Sequence, residues 1–267
     1  MKIHVSRNAS AKGCAFIFVS FCALMFAQSA HAFTFEPTEL QYYLMPDYCK
    51  AKMSDFHRNR EGSWSVRFPI DEKRIAYWKN AIGNDFKHMH HYCAGLVALS
   101  RAQTNPSSGA WRGAVSEISY TLSRSQPGSP LWKQMTIDYA RALEGMGDGD
   151  KAMELLTQLV QRYPNNGDAY IALARTLERN GDLPGGIAVL EKGMRHVAKK
   201  GPLLFYLARY VYDLGEVERA TELTLEAEKA GMKMDSLRKH LGSQLSGNSG
   251  AKPGVLDHAA VPGGAGE

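Results

Sequence analysis

The sequence predicts an all-α protein, a right-handed helical solenoid with a disulfide-linked N-terminal extension, and three observations predict it. Residues of one kind recur at an offset of 34 through the second half of the chain. Within each interval an apolar stripe at three- and four-residue spacing breaks at Gly-Asp or Gly-Glu and then resumes, the pattern of helix, turn and helix. Across all 267 residues the composition is 44% hydrophobic and 22% charged, which suits a globular domain and excludes both a multi-span membrane protein and a disordered chain.

The elements follow in chain order. Residues 1–32 read as a secretory signal: Lys2, Arg7 and Lys12 precede a run from Gly13 to Phe26 that is almost wholly apolar, and Ala30-His31-Ala32 supplies small residues around a cut after Ala32. That run would extend only about 21 Å as a helix, short of the roughly 30 Å hydrocarbon core, so no permanent membrane span is expected. Cleavage removes three of 32 basic residues and none of 27 acidic ones, taking the formal charge from +5 to +2. No block of five or six Lys and Arg remains, and nucleic acid is excluded as a partner. The expected location is periplasmic or secreted. Of the four cysteines, Cys14 and Cys22 leave with the signal. Cys49 and Cys93 remain, an even pair in an oxidising compartment, and are expected to join in a disulfide worth about 4 kcal/mol in the chain-entropy model.

Residues 33–84 form the N-terminal extension. In 85–130 two stretches, Asp85–Ala102 and Ser108–Arg124, read as helices and suggest a degenerate repeat ahead of the clear ones. The three clear units fill 131–234, in register as 133–166, 167–200 and 201–234. Ala140, Ala174 and Ala208 form one recurring series, Gly147, Gly181 and Gly215 a second, Tyr139, Leu173 and Leu207 a third, and Ala152, Gly186 and Ala220 a fourth. Asp235 can cap a short helix over 235–245 with Leu237, Leu241 and Leu245 on one face, closing the array. Residues 246–267, rich in Gly, Ala and Pro, read as a disordered tail.

On these residues the chain resembles the tetratricopeptide repeat family. The first unit carries Tyr139-Ala140, Leu143, Ala152, Leu156 and Pro164 at the family's intervals; the second carries Leu173-Ala174, Leu177, Gly186 and Leu190 but lacks the closing Pro; the third carries Leu207-Ala208, Val211, Ala220 and Ala227. Where the family opens on Trp, this chain has Thr136, Tyr170 and Leu204. The resemblance implies a scaffold that binds a protein or peptide partner, and export of such repeats implies envelope assembly or polysaccharide export by analogy of fold and compartment.

Stacked first helices would align Arg141, Arg175 and Arg209 across the units, a ladder of planar donors for a carboxylate or phosphate. Ile137, Ile171 and Phe205 lie four residues earlier on the same face, as the apolar floor of a peptide groove. The bland alternative is that Glu144 and Glu178, three residues on, pair with Arg141 and Arg175 within the helix. Arg209 has Tyr212 and Asp213 in place of that Glu, which makes it the least satisfied of the three.

His88, His90 and His91 beside Cys93 raise the competing reading, a metal-binding protein or metal-dependent hydrolase. His88 and His91 share a helix face and would join the partner-binding surface or ligate a metal, while His90 points away. A third ligand would have to come from His57, Asp47, Asp55 or Asp85 through a folded-back N-terminus. No metal and no other cofactor is assigned, because the chain has no Gly-rich phosphate loop, no Gly-x-Ser-x-Gly, no His-Glu-x-x-His and no Cys-x-x-Cys-His. An enzyme is therefore not expected. The aromatic series Tyr42, Tyr43, Tyr48, Trp64, Tyr77 and Trp78 could stack on sugars but reads more simply as the core of the extension.

Overall fold

The turn glycines set the rhythm of the fold. Gly147, Gly181 and Gly215 hold φ of +89°, +84° and +85°, a left-handed conformation that glycine adopts without steric cost, and each ends the first helix of a pair. In the computed structural model, which describes residues 36–57, 62–106 and 108–245, the paired helices are α7 (Trp132–Gly145) and α8 (Gly149–Arg162), α9 (Gly167–Arg179) and α10 (Leu183–His196), and α11 (Gly201–Asp213) and α12 (Val217–Lys229). The second helices thus begin at Gly149, Leu183 and Val217, each 34 residues after the last. The described residues from Pro37 onward form one compact unit, and among the described residues there is no strand.

Small residues let the helices approach. Ala140, Ala174 and Ala208 are at most 1% exposed, and so are Ala152 and Ala220. Gly186 takes the place of alanine in the second unit because a Cβ there would stand 3.0 Å from the Ala174 carbonyl oxygen and 3.2 Å from the Tyr210 ring. The first helices also touch one another across units, α7 against α9 and α9 against α11. Thr136, Tyr170 and Leu204, at the family's Trp position, are all buried. The close is α13 (Asp235–Leu245), whose Leu237 and Leu241 join the core of the array.

Ahead of the repeats stand α1 (Glu39–Leu44), α2 (Asp47–Phe56), the short α3 (Trp64–Arg67), α4 (Glu72–Ile82), a 3₁₀ turn over Gly83–His88, α5 (Met89–Thr104) and α6 (Ser108–Leu122). The sequence pattern starts a helix at Asp85, whereas its first four residues wind in the tighter 3₁₀ form and the α-helix begins at Met89. Cys49 of α2 and Cys93 of α5 are joined, with Cα atoms 5.6 Å apart and neither residue exposed. Gly95 lets α5 and α6 close up, since a Cβ there would meet Ile118 Cγ1 at 2.4 Å. Within the extension Tyr42 is buried under a hydrogen bond from its hydroxyl to the Phe68 carbonyl (2.9 Å), while Tyr43 and Tyr77 are exposed. The signal over 1–32, its cut at Ala32 and the tail over 246–267 lie outside the described residues. Among those residues no helix is long and apolar enough to cross a membrane.

Candidate functional site

Two of the three aligned arginines line one cleft. It runs between α7 and α9, and its walls are Ile137, Arg141 and Glu144 on one side and Ala172, Arg175, Thr176 and Arg179 on the other, with Leu156 at the base. The repeat places them: Arg141 and Arg175 each follow the buried small Ala by one residue, so the close packing that Ala140 and Ala174 permit also points the next side chain outward.

Arg141 is held differently from what i,i+3 pairing with Glu144 would give. Arg141 Nη1 donates to Asp138 Oδ1 at 3.0 Å, back toward the start of its own helix. Glu144 instead accepts from Arg179 of the next unit. Its other oxygen, Oε1, is buried and has no partner. Arg175 lays its guanidinium over the Tyr206 ring of the third unit, 5.8 Å from the centroid.

Arg209 and Tyr212 do not reach this cleft. Arg209 is 7% exposed with its guanidinium 5.6 Å from the Phe205 ring centroid, so it is a buried and engaged side chain rather than the least satisfied of the series. Tyr212 is 2% exposed, with the His240 ring of α13 6.3 Å from its own. The closing helix covers what the period alone would leave open. Of the apolar series only Ile137 lines the cleft; Ile171 and Phe205 are partly buried against the core.

The histidines stay close but are taken up by neighbouring side chains: the His90 ring does not point away from the pair, since it lies 4.3 Å from that of His91. His91 Nδ1 lies 2.7 Å from Glu117 Oε2 of α6, and its ring sits 3.9 Å from that of Tyr120. His88 meets the same Tyr120 edge-on at 5.8 Å. His90 stacks on Phe56 of α2 at 4.7 Å, and burial together with the neighbouring His91 and Lys52 charges lowers its pKa to about 4. The N-terminal segment does fold back, but Asp47 takes Arg74 and Asp55 takes Lys79 and Lys52. Among the described residues no three His, Cys, Asp or Glu come together as a metal site.

Comparison with known proteins gives a family match: residues 142–202 fit the model of the tetratricopeptide repeat. The match spans the second unit and part of the first. The chain is similar in structure to MamA (41-end) of Desulfovibrio magneticus RS-1, at 17% identity over 72% of this chain and 99% of that one, TM-score 0.45. It is similar also to the nearly identical TPR-like repeats of a kinesin light chain of Podosopora anserina, at 20% identity over 57% of this chain and 84% of that one, TM-score 0.43. A third is a thermophilic TPR protein of Thermus thermophilus, at 14% identity over 63% of this chain and 98% of that one, TM-score 0.43. No curated protein matches the sequence.

Some features of the tetratricopeptide array carry no repeat signal. One interval on from Asp138 stand Ala172 and then Tyr206, and one interval on from Arg179 stands Asp213, so neither Asp138 nor Arg179 belongs to a series. The array also has a second, mostly apolar groove between α8 and α10, floored by Tyr170, Leu173 and Leu177 of α9 and walled by Met153, Val160 and Val189. The apolar stripe of α9 places those floor residues in the core, where Tyr170 and Leu173 are buried, and only Leu177 is partly open.

Proposed function

We propose that this chain is an interaction scaffold that binds an extended peptide segment along the cleft between α7 and α9, through a carboxylate on Arg141 and Arg175. The tetratricopeptide fold supports a protein partner in general. One observation favours this cleft in particular: the side chains of Arg141, Arg175 and Arg179 line one space, with a single carboxylate, that of Glu144, among them. The setting we infer is outside the cytoplasm, in envelope assembly or polysaccharide export. The Cys49–Cys93 disulfide and the signal-like first 32 residues support the compartment.

Peptide-display selection on the immobilised mature chain tests the binding reading. Enriched peptides should share an acidic residue or a free C-terminal carboxylate, and Arg175→Ala should weaken them roughly tenfold, about 1.4 kcal/mol, while leaving the thermal transition in place. Enrichment of uncharged peptides that ignore Arg175→Ala contradicts it. Fractionation followed by N-terminal sequencing tests the compartment, with Phe33 as the expected first residue.

A further inference from the structure

Asp138 is buried at 3% exposure, and three donors converge on it. The Tyr92 hydroxyl donates to Oδ2 at 2.7 Å, Gln134 Nε2 donates to the same oxygen at 3.1 Å, and Arg141 Nη1 donates to Oδ1 at 3.0 Å. Tyr92 belongs to α5, outside the clear repeats, and is itself fully buried. Its ring lies parallel to that of Tyr48 on α2, 6.2 Å away with 8° between the planes. The residues that follow these two tyrosines in sequence are Cys49 and Cys93, the disulfide pair. A continuous path therefore runs from the disulfide-tied extension, through Tyr48, Tyr92 and Asp138, to a guanidinium that lines the cleft.

We propose that Tyr92 and Asp138 are positioning residues for Arg141, by which the N-terminal extension sets the geometry of the first arginine of the cleft. The proposal rests on the cleft being the binding site. A buried carboxylate is tolerated only when its oxygens are satisfied, and here one oxygen is held by Tyr92 of α5, itself stacked on Tyr48 of the extension, so that the other is presented to Arg141. The remaining guanidinium donors stay directed to the cleft. The residue three before Arg175 is Ala172, which has no carboxylate to take the part of Asp138. The constraint on Arg175 comes from Tyr206 of the following unit. The two arginines of one cleft are thus governed from opposite ends of the molecule.

Arginine reactivity toward phenylglyoxal, read peptide by peptide by mass spectrometry on the folded chain without any partner, tests this. Asp138→Asn and Tyr92→Phe should each raise the modification rate of Arg141 roughly threefold or more, as its charge-assisted partner is lost or loosened, and leave Arg175 unchanged. No change at Arg141 overturns the proposal; so does an equal rise at both arginines, which marks general loosening. Should either variant fail to fold, ¹⁵N NMR of the unaltered protein decides: restricted guanidinium rotation at Arg141 is expected, and free rotation there overturns the proposal. Because no peptide is present, a negative result here leaves the binding reading standing, and a failure of peptide binding leaves the hold on Arg141 intact but removes its purpose.

Discussion

Glu144 of α7 accepts a hydrogen bond from Arg179 of α9, so the carboxylate three residues beyond Arg141 is used across the boundary between units rather than within its own helix. The Glu144 side chain is 12% exposed but that of Arg179 is 44% exposed, so the attraction is partly screened by solvent and what counts is the sheltered carboxylate. Arg179→Ala would strand a largely buried carboxylate and should cost about 1–3 kcal/mol in denaturant unfolding. A double-mutant cycle with Glu144→Gln should recover a coupling above about 0.5 kcal/mol. Simple additivity would show that the pair contributes nothing to the stacking of the units.

The turn glycines make a sharper test of the period. Gly147, Gly181 and Gly215 share one conformation and have open space where a Cβ would stand, so alanine there is penalised by backbone conformation alone. Each single Gly→Ala change should lower stability by about 1–2 kcal/mol, and by similar amounts at the three positions. Unequal costs would mean that the units are not equivalent.

These two predictions show what the sequence carries and what it does not. The 34-residue series of small residues and glycines is local steric chemistry repeated, so it reads directly as helix, turn and helix with a tight contact at Ala140 or Ala174. The pairing of Cys49 with Cys93 follows from elimination once the first 32 residues are set aside. Side-chain partners are another matter. Arg141, Arg175 and Arg209 are equivalent in sequence, yet Asp138 holds the first, the Tyr206 ring lies beneath the second, and the third is buried. Those differences arise from Asp138, Tyr206 and Phe205, which do not repeat in kind at the interval of 34.

Loss of the disulfide should act mainly on the extension. Replacing both cysteines by serine opens a loop with a sequence separation of 44, worth about 4 kcal/mol in the chain-entropy model. Hydrogen exchange should accelerate in α2 and in the first turns of α5, while α9 and α11 keep their protection. Uniform acceleration through the repeats would show that the extension and the array unfold as one.

Acid should destabilise the packing of α2 on α5 through His90. Its folded pKa is lowered to about 4 from the ordinary 6.5, mainly by burial, so between those values the unfolded chain binds a proton that the folded chain does not. Stability is therefore full above about pH 6.5 and falls as the pH drops toward 4. An NMR titration of His90 with its midpoint at or above 6.5 would contradict this.

Two grooves compete for a peptide: the arginine-lined cleft between α7 and α9, and the apolar groove between α8 and α10. Hydrogen-exchange mapping with a display-selected peptide bound decides between them. Binding through Arg141 and Arg175 concentrates new protection on α7 and α9 around those two residues and leaves α8 and α10 unaltered. Protection centred instead on Met153, Val160 and Val189 would place the peptide in the apolar groove and refute the arginine cleft as its site.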